Sequence, residues 1–212
     1  MVAKTAFGAS RRVLQLVLGL SSFLFFSCLA IDADIEVKAD GSGVMNLSYR
    51  ISRTVESMGK LDGNERWLPL PVGEADFERS LSRIGALELE AFKTTEDERD
   101  VRVEAMVSFD TVEALVSFLS ANGRTARLTR DGDRTSLSLR LSDNAGPLDS
   151  DLVELVKVLF ADYDIRIRFQ TPTRLSSSGV SLVTEDERQV VFQAPASDIL
   201  TSTEEIMWTL AW

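Results

Sequence analysis

The chain has one thiol, and its surroundings dictate its chemistry. Cys28 is the only cysteine among 212 residues. Lys4, Arg11 and Arg12 supply a basic start, and Val13 to Phe26 then runs V-L-Q-L-V-L-G-L-S-S-F-L-F-F without a charge, up to Ser27. A positive start, a short apolar core and a small residue at the cut make the layout of a signal peptide. A cysteine directly after that small residue is the arrangement in which the thiol is acylated, with a chain such as palmitate, and becomes the first residue of the mature protein. Residues 1–27 are therefore expected to be a lipoprotein signal peptide, Cys28 the lipidation residue, and 28–212 the mature chain at a bacterial cell envelope, periplasmic or surface-exposed. Phe25 and Phe26 depart from the strict pattern, which carries Leu three residues before the cysteine. Two alternatives stay open: a soluble product cut after Ala30, and an uncleaved anchor. Val13 to Ile31 is 19 residues long, borderline for a span of ~20 residues, and Gln15, Ser21 and Ser22 weaken it. Ser10-Arg11-Arg12-Val13-Leu14 half-resembles a twin-arginine signal. An ordinary basic start is the simpler reading, because no cofactor motif follows that would require export in a folded state.

The remaining side chains exclude more chemistry than they offer. There is no histidine, which removes Ser-His-Asp and Cys-His nucleophilic sites, His-ligated zinc and imidazole bases. With Cys28 spent on an anchor, thiolate metal sites and disulfides go too. Carboxylates are plentiful, but no pair stands in an inferable apolar pocket of the kind that splits an acid from a base. The acidic pentapeptide Thr-Glu-Asp-Glu-Arg occurs at 95–99 and again at 184–188. Hard cations favour clustered carboxylates, yet these lack the alternating spacing that wraps an ion, and Asp131-Gly132-Asp133 is too short to do so. All three read as solvated turns. A nucleophile in Ser176-Ser177-Ser178-Gly179 would need a lysine base, and Lys157 stands alone in that half, so a flexible linker is expected there. Neither catalytic residues, metal nor cofactor is expected.

Bulky apolar groups are the better clue. Trp67, Trp208, Trp212, Phe160, Phe169, Phe192, Met58 and Met207 are many for one domain. They read either as core or as the lining of an apolar cavity between a sheet and its helices, fit for an acyl chain. In the second reading Trp67, Phe160, Trp208 and Trp212 bind the ligand. Trp67 gates the mouth within a 59–73 loop, while Trp208 and Trp212 face the helix carrying Leu152, Leu155, Val156 and Leu159.

These residues need elements to position them. Alternating apolar residues flank turn signals at Ala39-Asp40-Gly41-Ser42-Gly43, at both acidic pentapeptides and at Asp131-Gly132-Asp133, which predicts hairpins. Phe77, Leu81 and Ile84 predict a helix over 74–86. Asp110 and Glu113 form a capping box for a second helix, closed by Gly123. Pro147 and Ser150 mark the start of a third, with Leu152, Leu155, Val156, Leu159 and Phe160 on its buried face, and a short helical turn is expected over 196–202. Strands are expected over 164–170 and at the C-terminus, where Ile206, Trp208, Leu210 and Trp212 share one face. The sum is a single α+β domain: an antiparallel multi-stranded sheet built of hairpins, with about three helices packed on it. The repeated pentapeptide raises an internal strand-strand-helix duplication, against chance convergence of charged hairpin tips.

Removing the signal peptide takes three of the 23 cations and leaves 20 against 33 acidic residues. So acidic a chain repels nucleic acid and gains nothing electrostatically from anionic lipid headgroups. A covalent lipid would hold it to the membrane instead.

The stretch Ala33-Asp34-Ile35-Glu36-Val37-Lys38-Ala39-Asp40-Gly41-Ser42-Gly43-Val44-Met45-Asn46-Leu47-Ser48-Tyr49, just after the candidate lipidation cysteine, resembles the opening of LppM-type lipoproteins. In those an Asp-Gly hairpin starts an α+β domain likened to lipid-binding folds. The similarity is specific over these 17 residues and loose elsewhere, and no C-terminal membrane segment follows the domain as it does in the mycobacterial pattern. The resemblance implies an envelope lipoprotein that binds a lipid or glycolipid, and it implies no catalytic residues. The expected function is thus a non-enzymatic envelope lipoprotein binding a hydrophobic ligand, an acyl chain or glycolipid. The alternative is a protein-binding scaffold or adhesion module with an envelope protein as partner. A carboxylate hydrolase is a distant third.

Overall fold

A computed structural model describes residues 29–53, 71–120, 126–142, 149–179 and 182–212. Eleven strands and four helices are found among them, in an α+β arrangement. The strands are β1 (Leu29–Val37), β2 (Gly43–Ser52), β3 (Leu87–Glu96), β4 (Asp100–Phe109), β5 (Ala126–Asp131), β6 (Arg134–Ser142), β7 (Asp164–Gln170), β8 (Ser176–Ser178), β9 (Leu182–Asp186), β10 (Gln189–Pro195) and β11 (Ile206–Ala211). The helices are α1 (Glu74–Ser82), α2 (Val112–Leu119), α3 (Ser150–Leu159) and α4 (Ala196–Leu200).

The strands form two sheets rather than the single one expected. The larger has the order β3-β4-β2-β1-β7-β10-β9 and the smaller β5-β6-β11-β8. Pairing is antiparallel except between β1 and β7, which run parallel. Hairpin signals reveal only sequence neighbours, so a parallel partner more than a hundred residues away leaves no local trace. Its register is written in charge: Asp32 faces Arg166 and Asp34 faces Arg168 across the strands. Arg166 bonds Asp32 at 3.0 Å, and Arg168 approaches Asp34 at 3.2 Å. Such cross-strand pairs favour one register over a slip.

One face of the large sheet is dry and the other wet, as alternation dictates. On β4, Val101, Val103, Ala105, Val107 and Phe109 are buried, whereas Arg102, Glu104 and Met106 are exposed. On β2, Met45, Leu47, Tyr49 and Ile51 point the same way. A second layer covers this face. At the β3 end Phe77 of α1 packs on Phe92 and on Phe118 of α2. At the β10 end the small sheet takes over: Trp208 meets Phe192 with ring centres 5.6 Å apart, and Trp212 meets Phe169 at 5.5 Å. One continuous core results. Gly43 allows the β1–β2 hairpin to close beneath Phe109, since a Cβ there would lie 2.0 Å from the Glu36 carbonyl oxygen and 2.3 Å from the Phe109 ring.

Local chemistry explains where expectations and structure part. Helix α1 stops at Ser82, and Gly85 and Ala86 both take positive φ before β3. Helix α2 is capped by Thr111, whose hydroxyl accepts from the Ala114 amide, so the cap lies one residue later than Asp110. Residues 121–125, with Gly123, lie outside the described residues. Helix α3 is capped by Asp149, which accepts from the Asp151 amide at 2.9 Å. The serine run is no linker. Ser176–Ser178 is β8, paired with β11, and Ser177 accepts the Trp208 indole N–H at 3.0 Å.

The two acidic pentapeptides fold differently. In the first, Thr95 and Glu96 still belong to β3, and Asp97 builds the turn by accepting the Arg99 and Asp100 amides, both at 2.8 Å. In the second, the strand runs on through Asp186 and the turn falls on Glu187 and Arg188. Each hairpin is followed by a helix, α2 or α4, but β5–β6 is likewise followed by α3. That order therefore does not depend on the pentapeptide.

Candidate functional site

The ligand-lining residues expected from sequence are dispersed. Cys28 and Trp67 lie outside the described residues. Phe160 is fully buried, but in a small separate cluster with Tyr163 and Ala196, against which Ala30, Val156, Ile165 and Leu200 pack. Trp208 is also fully buried, in the main core. Trp208 and Trp212 face Phe192 and Phe169 of the large sheet and do not face α3, so that expected pairing is corrected. Even spacing places both tryptophans on one side of β11, but it cannot say which layer lies opposite. Among the described residues Trp208, Phe192 and Phe169 are fully buried between the sheet and the second layer, and they contribute to the core rather than to the clefts described below.

Trp212 is the exception, because it is only half-buried. Its backbone extends the β11–β6 ladder by exchanging hydrogen bonds with Thr135 at 2.9 and 3.0 Å. One side of its ring rests on Phe169. Beside it opens a cleft of about 390 Å3 lined by Trp212, Ala211, Leu175, Ser176, Arg134, Arg174 and Asp133. The floor is apolar and the rim is charged. Arg134 donates to Ser176 Oγ at 3.3 Å, and Arg174 lies 3.6 Å from Glu187, both exposed to water. The Arg174 ion pair is of the exposed kind that holds its partners weakly, and the Asp133 carboxylate shares the rim with both guanidinium groups. This volume falls within the range of small-molecule sites, which pair an apolar lining with a few polar groups. Sequence reading named Trp212 but missed Arg134, Arg174 and Leu175. They reach Trp212 only through the β6–β11 register and the β8 pairing, and no local pattern encodes either.

A second, polar groove of about 290 Å3 lies on the wet face of the large sheet, among Asp32, Ser48, Arg50, Arg102, Asp164, Arg166 and neighbours. Its cations are largely committed. Arg166 binds Asp32, while Arg50 donates to the Asp162 carbonyl at 2.7 Å, approaches Asp100 at 3.6 Å and lies 4.9 Å over the Tyr163 ring. Tyr163 donates in turn to the buried Asp100 carboxylate at 2.9 Å. This node pins the segment after α3 onto β2 and β4, as a structural tie rather than a binding site.

Two carboxyls and a phenol are shifted from their ordinary values. Hydrogen bonds from the Ser42 hydroxyl and amide hold Asp40 below the usual range. Amide donors from Asp100 and Arg99 do the same for Asp97. Both sit at exposed turns and serve the turns. Burial pushes the Tyr49 phenol well up, and its hydroxyl donates to the Pro71 carbonyl. Among the described residues no group of three or more acidic or thiol side chains is placed to hold a metal ion. No protein-family model matches the chain, and no curated protein matches it.

Proposed function

We propose that this chain is a non-enzymatic envelope lipoprotein, tethered through acylated Cys28, whose α+β domain binds a hydrophobic ligand with a polar head, an acyl chain or glycolipid, in the open cleft beside Trp212. The observation that carries the reading is that cleft: an apolar floor of Trp212, Leu175 and Ala211 beneath a rim bearing Arg134 and Arg174. An acyl chain would lie against the indole and shed water, while an acidic or polyhydroxylated head would meet the guanidinium groups. The LppM-type resemblance of residues 33–49 supports the same class. Those residues form most of β1, its turn and most of β2. The non-catalytic part rests on the absence of histidine and on a lone cysteine spent as an anchor.

The test is binding of a fluorescent fatty-acid probe, comparing wild type with Trp212→Ala and Arg134→Ala at matched stability. Weakened binding is expected in both, through floor and rim respectively. If the wild type takes up no probe, the ligand reading fails. The protein-binding scaffold would then lead, favoured by the filled core and by Leu155 and Val158 exposed on α3. Strand capture at the β3 edge is a poor form of that alternative, because β3 carries a bulge at Leu89–Ala91 and the exposed Lys93, both of which discourage edge pairing.

A further inference from the structure

Helix α3 contradicts the usual division of a surface helix into a dry and a wet face. Leu152, Val153 and Val156 are partly buried, and Val156 packs on the Phe160–Tyr163 cluster. Val158 stands on the opposite side, where charged residues belong, and is 74% exposed, while Leu155, expected on the buried face, lies at its edge and is 50% exposed. They are one turn apart and so adjacent. Of the four large apolar side chains exposed among the described residues, these two alone share an element.

What covers them follows from where the chain enters the fold. Ala30 packs on the same Phe160–Tyr163–Ala196 cluster that seats Val156. Hence α3 stands at the end of the large sheet where β1 begins. No residue intervenes between Leu29, the first of β1, and Cys28. A lipid on Cys28 therefore has no linker with which to hold the domain away from the bilayer. It brings this end of the sheet, and α3 with it, to the headgroups. The Arg50–Asp100–Tyr163–Asp162 node fixes α3 there, because Tyr163 and Asp162 follow the helix directly.

We propose that Leu155 and Val158 of α3 are a membrane-docking face, which seats the lipid-anchored domain against the bilayer and fixes its orientation. The occupant is the neutral headgroup–acyl boundary. The mature chain is strongly acidic, and the charges nearest this face are the carboxylates of Asp151 and Glu154, while Lys157 lies about 100° round the helix from Val158 and pairs with Glu154 at 3.3 Å. Apolar insertion rather than attraction to anionic lipid thus supplies the contact. The Trp212 cleft then faces away from the membrane. Trp212 rests on Phe169, which pairs with Ile35 six residues along β1 from Leu29, a rise of ~20 Å. Ligand exchange would occur on the side remote from the bilayer.

The inference rests on acylation of Cys28, so that is measured separately, by intact mass of the protein purified from cells. Full-length protein carrying Val158→Cys or Ala39→Cys, the latter in the turn at the far end of β1 and outside the Trp212 cleft, is labelled with an environment-sensitive dye and reconstituted in phosphatidylcholine vesicles containing lipids with nitroxides at the headgroup–acyl boundary. Both positions are exposed, so neither change should disturb folding. The expected result is a blue shift at position 158 and quenching there at least about twofold stronger than at position 39, with insertion of ~5–10 Å. Added salt should not release the contact, and anionic lipid should not strengthen it. An acylated protein with equal or no quenching at the two positions overturns the docking face and leaves the anchor standing. A blue shift at 158 that needs no vesicles and grows with protein concentration also overturns it, in favour of a second copy on this face. A mass lacking the acyl groups removes the anchor, and the docking proposal with it.

Discussion

Replacing Trp208 by alanine separates a core tryptophan from a ligand-lining one. The indole is fully buried, stacks at 5.6 Å on Phe192 and donates to Ser177 at 3.0 Å. A tryptophan buries roughly 200 Å2, which at ~25 cal/mol per Å2 is about 5 kcal/mol. Residual burial in the unfolded chain trims this to ~3–4.5 kcal/mol. The hydrogen bond adds about 1 kcal/mol. Trp208→Ala should therefore cost ~4–5.5 kcal/mol, at the upper end of large-to-alanine changes in cores. Two milder variants divide that sum. Trp208→Phe keeps a ring against Phe192 and loses the donor. Ser177→Ala keeps the ring and leaves the indole N–H without its partner, at ~1–3 kcal/mol. Urea denaturation followed by circular dichroism gives all three values, and a double-mutant cycle between positions 177 and 208 should return about 1 kcal/mol of coupling. A Trp208→Ala cost below ~1.5 kcal/mol would refute the reasoning, because only a side chain facing empty space is lost so cheaply.

Gly179 should be irreplaceable for a different reason. Its φ is +139°, and a Cβ would lie 2.7 Å from the Met207 carbonyl oxygen, so Gly179→Ala should destabilise by more than about 1 kcal/mol; a melting temperature equal to wild type would show that β8 does not sit on β11. Tyr49 governs the alkaline side. Its pKa is raised from 10.0, so its contribution is complete below that value and is lost as pH rises past it. The melting temperature should fall more steeply from about pH 10 to 12 in wild type than in Tyr49→Phe, and parallel curves would contradict this. Asp97 governs an acidic effect of opposite sign. Its pKa is lowered from 3.8, so the turn is stabilised above that value and loses the contribution as pH falls through the depressed one. Asp97→Asn should weaken this dependence and Glu98→Gln should not, as thermal melts at acid pH would reveal.

Local features were legible in the sequence to the extent that their causes are local. Alternation in Val101–Phe109 and Val44–Ile51 marks strands with one dry face, and Asp131-Gly132-Asp133 marks a turn. Phe77 and Leu81 mark the buried side of α1. Layering was not legible, because Trp208 and Trp212 show an apolar face without showing that a second sheet, rather than α3, lies opposite. Nor was β8, since three serines carry no apolar pattern. They form a strand because Ser176 donates to the Ala211 carbonyl at 3.1 Å and Ser177 accepts from Trp208. The parallel β1–β7 contact was spelled out in Asp32-Ala33-Asp34 and Arg166-Ile167-Arg168, but only to a reader who already knew the strands were neighbours. The candidate cleft was legible in one residue, Trp212. Its arginines depend on long-range register.

The central claim is the anchor, on which the membrane address and the docking of α3 both depend. The most direct measurement is the mass of the N-terminal fragment of the mature protein isolated from cell membranes. The account predicts a chain beginning at Cys28 and heavier than the bare sequence by its acyl groups. A chain beginning at Ile31, or an unmodified Cys28 inside a longer chain, would contradict it.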